Sequence, residues 1–287
     1  MRPARTWQDF RQRAAAAPGE LYHETEGDGP PCLLVHGFAM HMATWRHWRP
    51  ALVRDRRLWL VDLKGCGRSP APADGAYGIY DHAAALAGFL ERHRLEGLTV
   101  IGNSLGGALA LILALYYAER GEPERIAALV LVGAAAYRQP IPAFMRVLRL
   151  PWLPELLHPL VPRRRAVARV LRRLYARPER IPPASAHLYS APMARAGVRR
   201  ALIQTARHIV PDDLEQVSAR YPEIARPALC LWGAQDRIVP VAVGRRLARA
   251  LPRARLVTLA DCGHMPQEEC PQPALAAVEG FLGGAGW

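Results

Sequence analysis

Short, unbroken apolar runs separated by longer helical patterns constrain this chain more than any other feature. Cys32 to Val35, Leu58 to Val61, Leu98 to Ile101, Ile126 to Val132, Ala228 to Trp232 and Arg255 to Leu259 each read as a strand. Runs that stay apolar, rather than alternating, suit strands covered on both faces. Helical patterns such as Tyr80 to Arg94 and Val241 to Leu251 lie between most of them. Strand–helix alternation predicts an α/β fold with a mostly parallel sheet and right-handed crossovers. Ahead of it, Thr6 to Ala17 fits a short amphipathic helix ended by Pro18-Gly19.

The alternation stops between Tyr137 and Asp213. That segment has no convincing strand pattern and reads as proline-broken helices, among them Arg163 to Tyr175. In the latter, Val167, Val170, Leu171 and Leu174 form one apolar stripe, with Arg165, Arg169, Arg172 and Arg173 mostly off it. An all-helical insertion between two strands of a parallel sheet is a cap. The expected organisation is a core of residues 1–136 and 214–287 with a helical cap of residues 137–213.

The formal charge of +13 is concentrated in this insertion, where residues 137–215 carry a surplus of ten. Lys64 is the one lysine, so the basic residues are nearly all arginine, a bias that a genome's base composition often produces. The cap arginines read first as a solvated helix face, and a contact with anionic lipid ranks behind that. No interleaving of aromatic and basic residues supports nucleic-acid binding. The N-terminus lacks the apolar stretch of a signal peptide, and Ala108 to Ala118 is too short to span a bilayer. Five cysteines without metal or disulfide spacing predict a reducing, cytoplasmic setting. His41, His47, His82 and His93 also lack metal-ligand spacing, so no metal is expected.

Gly102-Asn103-Ser104-Leu105-Gly106 sits between an apolar run and a long apolar helix. A serine on so sharp a strand-to-helix turn is exposed at the carboxyl edge of a sheet, and small neighbours are needed where strand and helix pack closely. Ser104 is therefore the candidate nucleophile; the competing reading is a glycine-rich turn that grips phosphate. An oxyanion hole needs two backbone N–H groups. Leu105 would supply one, and Phe38, in His36-Gly37-Phe38 after an earlier strand, the other. Of the histidines beyond Ser104, His158, His187 and His208 fall in the helical insertion. His264 follows the last strand and is the candidate base. Asp236 holds the matching place after Ala228 to Trp232, with Asp261 as its rival; the loop after Val132 offers no carboxylate.

His36-Gly37-Phe38, Asp62-Leu63-Lys64-Gly65-Cys66-Gly67-Arg68-Ser69, Gly102 to Gly107, Trp232-Gly233-Ala234-Gln235-Asp236 and Gly263-His264 occur in that order. Together they resemble the capped α/β-hydrolase superfamily, in its serine-nucleophile branch, from about Leu21 to Leu282. The resemblance implies eight strands with a helical cap after the sixth; no N-terminal strand is evident, so seven is the alternative. It also implies a Ser-His-Asp triad of Ser104, His264 and Asp236, acting without a cofactor. An esterase for small to medium acyl chains ranks first. A carbon–carbon bond hydrolase of ring-cleavage products ranks second: Asn103 matches that group, but Met265 stands where it usually has tryptophan. A small-molecule receptor that keeps the triad is the alternative of another class. The expected partner is a small-molecule ester, with Phe38, Met40, Trp45, Leu105, Tyr137, Met145 and Met265 as candidates to line its pocket.

Overall fold

The computed structural model describes residues 2–151 and 161–284. Among these, seven strands form one sheet: β1 (His23–Glu26), β2 (Pro31–Val35), β3 (Arg57–Val61), β4 (Leu98–Asn103), β5 (Ile126–Val132), β6 (Ala228–Gly233) and β7 (Ala254–Leu259). Their spatial order is β1-β3-β2-β4-β5-β6-β7. Every neighbouring pair is parallel except β1 with β3, which is antiparallel. The chain is thus an α/β protein with a mostly parallel sheet, which among the described residues holds seven strands, the alternative to eight.

The shortfall lies at the N-terminal edge. Residues ahead of β1 form the helix Trp7–Ala14, capped by Thr6, whose hydroxyl accepts the Asp9 N–H while the Asp9 carboxylate accepts the Thr6 N–H. Its Phe10 is fully buried and packs against Trp7, Tyr80 and Tyr116. β1 itself is His-Glu-Thr-Glu, a polar edge strand with no apolar signature to betray it in sequence. Arg49 pairs with both Glu24 and Glu26, so the edge presents charge rather than a bare ladder.

Both sheet faces are buried, which accounts for the unbroken apolar runs. Side chains alternate between faces. Leu33, Val35, Val61, Val100, Leu129, Leu131 and Trp232 face the core formed with the helices Ile79–Arg92, Leu105–Glu119 and Val241–Ala250. Cys32, Leu34, Leu58, Leu60, Ile101, Val130, Val132 and Leu231 face the opposite core with Trp45, Trp48 and the helix Pro271–Leu282. The helix Leu105–Glu119 is buried from Leu105 to Tyr117, as its uniformly apolar sequence demands.

Between β5 and β6 the described residues are helical, in segments that include Ala143–Arg149, Arg163–Leu174, Ser185–Ser190 and Ala196–His208. The insertion follows the fifth strand because the sheet lacks its first. Val167, Leu171 and Leu174 are buried and join Met40, Tyr175, Tyr189 and Met265 in a separate apolar cluster between this layer and the sheet's carboxyl edge. Arg163, Arg164, Arg165, Arg169, Arg172 and Arg173 are exposed. No described helix is long and apolar enough to cross a membrane. Phe10→Ala should cost about 3–5 kcal/mol by emptying a fully buried aromatic site, read as a lowered free energy of unfolding in urea.

Candidate active site

Ser104 joins β4 to the helix Leu105–Glu119 with a φ of 54° and ψ of −112°. A non-glycine residue held at positive φ stores strain that its surroundings must overcome. Here they do so with hydrogen bonds: the Ser104 N–H donates to the Val132 carbonyl at 2.9 Å, and the Ser104 carbonyl accepts from the Ala135 N–H at 3.1 Å. Gly106 allows the turn to close, since a Cβ there would stand 2.1 Å from the Val35 carbonyl oxygen. The neighbouring Asn103 is buried, and its amide donates to the carbonyls of Val132 at 3.0 Å and His264 at 3.3 Å. Asn103 therefore braces the serine turn against the histidine loop.

Asp236 and His264 come from the loops after β6 and β7. Asp236 Oδ1 accepts the N–H groups of Ile238 at 2.8 Å and Val239 at 2.9 Å, and Oδ2 accepts from His264 Nδ1–H at 2.8 Å. A carboxylate so fixed sets the imidazole tautomer and leaves Nε2 as an acceptor. The rival Asp261 lies outside the site, half exposed and bonded to Arg177 at 2.9 Å and Gln235 at 3.1 Å. His187 and His208 belong to the helices Ser185–Ser190 and Ala196–His208 and do not line the cavity described next. His158 lies outside the described residues.

A cavity of about 470 Å³ reaches both Ser104 and His264. Its wall includes Phe38, Met40, Met145 and Met265, together with Val167, Val170, Leu171 and Leu174 from the helical insertion. Tyr137 lines instead a smaller adjoining cavity of about 90 Å³ that also reaches Ser104, Leu105 and Phe38. Trp45 lines neither. It is fully buried beside Trp48 in the core on the far face of the sheet, because the turn Met42–Trp45 directs it inward.

The two positions read as oxyanion donors flank the serine. Leu105 is the first residue of its helix, where backbone N–H groups have no partner within the helix. Phe38 follows His36-Gly37 at the end of β2. His36 stiffens that loop from within: its Nε2 accepts the Leu63 N–H at 2.9 Å, so its Nδ1–H donates to the Gly37 carbonyl at 2.8 Å. Burial pushes the His36 imidazole down to about 4, with the Asp62 carboxylate opposing that shift. Asp62 anchors the next loop, accepting from Met42 N–H and Arg68 N–H at 2.8 Å each.

Sequence reasoning missed two buried carboxylates, Glu268 and Glu269, on the short helix Pro266–Glu269 directly beyond the histidine loop. Glu268 accepts from Thr44 and Arg46 at 2.9 Å each, from Tyr175 at 3.1 Å, and from Tyr189. The signal available was an acidic pair close behind the candidate base, where solvated charge would otherwise be expected.

The sequence profile of the alpha/beta hydrolase family matches residues 32–278. The chain belongs to the alpha/beta hydrolase family. This hydrolase is similar to a 2-hydroxy-6-oxo-2,4-heptadienoate hydrolase of Pseudomonas putida, 30% identical across 89% of this chain and 90% of that protein. It is also similar to a pimeloyl-[acyl-carrier protein] methyl ester esterase of Nitrosomonas europaea, 30% identical across 90% of this chain and 98% of that one. Among solved structures, a thermophilic esterase from Thermogutta terrifontis superposes with a TM-score of 0.73 at 26% identity, covering 92% of this chain and 93% of its own. A meta-cleavage product hydrolase from Pseudomonas fluorescens shares the fold, with a TM-score of 0.76 at 22% identity over 92% and 94%.

Because His36 binds its proton less readily when folded than when unfolded, acid favours the unfolded chain. Its contribution is complete above about pH 6.5 and is lost as pH falls toward about 4. Urea unfolding across that window should show stability falling with pH. His36→Gln, which can accept from Leu63 but not titrate, should flatten the slope by up to about 1.4 kcal/mol per pH unit.

Proposed function

We propose that this hydrolase cleaves carboxylic esters of small to medium acyl chains through an acyl-enzyme, with residues 137–213 acting as a cap over the site. The observation that carries this reading is the cavity beside Ser104 and His264, whose wall is mostly aliphatic, aromatic and thioether groups. Such a wall suits an uncharged acyl chain, and transfer of methylene groups into it favours binding by about 0.8 kcal/mol each.

The chemistry follows from the geometry. A serine hydroxyl is a poor nucleophile at neutral pH and needs a base. His264 Nε2 takes the Ser104 proton as Oγ adds to the ester carbonyl, and Asp236 stabilises the imidazolium that forms. The Leu105 and Phe38 N–H groups bind the oxyanion. Collapse of the tetrahedral intermediate expels the alcohol, which takes the proton from His264. Water then attacks the acyl-enzyme with the same histidine as base, releasing the acid and restoring Ser104.

A carbon–carbon bond hydrolase is the second reading, favoured by the Pseudomonas relative and by Arg169 at the cavity wall. It ranks behind the esterase because Met265, at the cavity wall, stands where that group usually has tryptophan, and because the Asn103 amide is already engaged with Val132 and His264.

Hydrolysis of p-nitrophenyl esters from acetate to palmitate should peak at a short or medium chain. It should fall by ~10⁴-fold or more in Ser104→Ala. No turnover of any ester by the folded protein, with turnover of a dienoate ring-cleavage product, would move the assignment to the second reading.

A further inference from the structure

Where the helix Arg163–Leu174 ends, the chain passes directly over the histidine loop. A Cβ on Gly263 would stand 2.4 Å from the Leu174 carbonyl oxygen and 2.6 Å from the Ala176 nitrogen, so the two backbones approach as closely as glycine permits. They are stitched from both sides. The His264 N–H donates to the Leu174 carbonyl at 2.7 Å. Glu269 Oε2 accepts the Gly263 N–H at 2.6 Å and the Ala176 N–H at 3.1 Å, while Oε1 accepts the Arg177 N–H at 2.7 Å. One buried carboxylate thus holds backbone donors from the histidine loop and from the insertion.

We infer that Glu269 is a positioning residue for His264, holding the base and the cavity-wall helix Arg163–Leu174 as one unit. That helix supplies Val167, Val170, Leu171 and Leu174 to the cavity wall. Its last residue bonds the His264 backbone, and the residues beyond it bond Glu269. An acyl chain seated against the helix therefore presses on the element that locates the imidazole. Three charge-assisted bonds to backbone N–H groups fix a loop more sharply than side-chain packing does, since each has a preferred length and direction. A base displaced by about 1 Å costs on the order of 10²-fold in rate.

The role rests on His264 serving as the base of the proposed hydrolase. Glu269→Gln keeps the shape of the side chain but turns an amide N–H₂ toward N–H groups that need an acceptor. The variant is compared with wild type on the p-nitrophenyl ester of best turnover, with kcat counted per site titrated by a stoichiometric organophosphate. In parallel, proton NMR follows the low-field resonance of His264 Nδ1–H, assigned by its disappearance in His264→Gln. The expected result is a loss in kcat of roughly 10²-fold with KM within a few-fold, and a shifted or exchange-broadened imidazole resonance. An unchanged kcat per titrated site, or a loss of kcat with the resonance unmoved, overturns the inference. Should the wild type turn over no ester, the resonance alone decides, because it needs no substrate. If the amide variant does not fold, Glu269→Asp, which keeps the charge and shortens the reach by one methylene, is read in the same way.

Discussion

The architecture hinges on the packing of the helix Leu105–Glu119 against the ends of β4 and β2, so close that a Cβ on Gly102 would stand 2.3 Å from the Gly106 carbonyl oxygen and one on Gly106 2.1 Å from that of Val35. That contact bends the backbone at Ser104 into positive φ. The same bend delivers a hydroxyl, and the backbone N–H groups of a helix N-terminus, to one edge of the sheet. The strain is sustained by a well-packed frame: a helix buried along most of its length, and carbonyl and amide partners from the end of β5. A looser core would relax the turn into an ordinary conformation and withdraw the serine hydroxyl.

Around this point the remaining groups arrive independently. β2 brings the loop stiffened by His36, β6 brings Asp236, and β7 brings His264. Parallel strands make that convergence automatic, because their carboxyl ends share one edge. The antiparallel β1 contributes no side chain to the cavity wall and lies at the sheet's polar margin.

Much of this was legible in the sequence. The six apolar strands and the Ser104, Asp236 and His264 loops declared themselves because burial on two faces and glycine-rich turns leave strong local patterns. β1 did not, since a four-residue edge strand of alternating charge satisfies its polar groups with Arg49 and solvent and needs no apolar run. Trp45 was misjudged for a different reason. Proximity in sequence to Phe38 and Met40 says nothing about which side of the sheet a 3₁₀ turn will send an indole. Glu268 and Glu269 were missed because most of their partners, among them Tyr175, Ala176, Arg177 and Tyr189, are remote in sequence, and burial of a carboxylate is decided by tertiary contacts.

The near-absence of lysine has a consequence for the exposed face of Arg163–Leu174. A guanidinium is a flat fork of several N–H donors on a weakly hydrated head, where an ammonium is a compact, strongly hydrated point charge. The exposed arginines of this helix therefore offer anions paired, directional contacts in place of diffuse attraction. The reach of their common field is set by the salt around them, falling off within about 8–10 Å at moderate ionic strength.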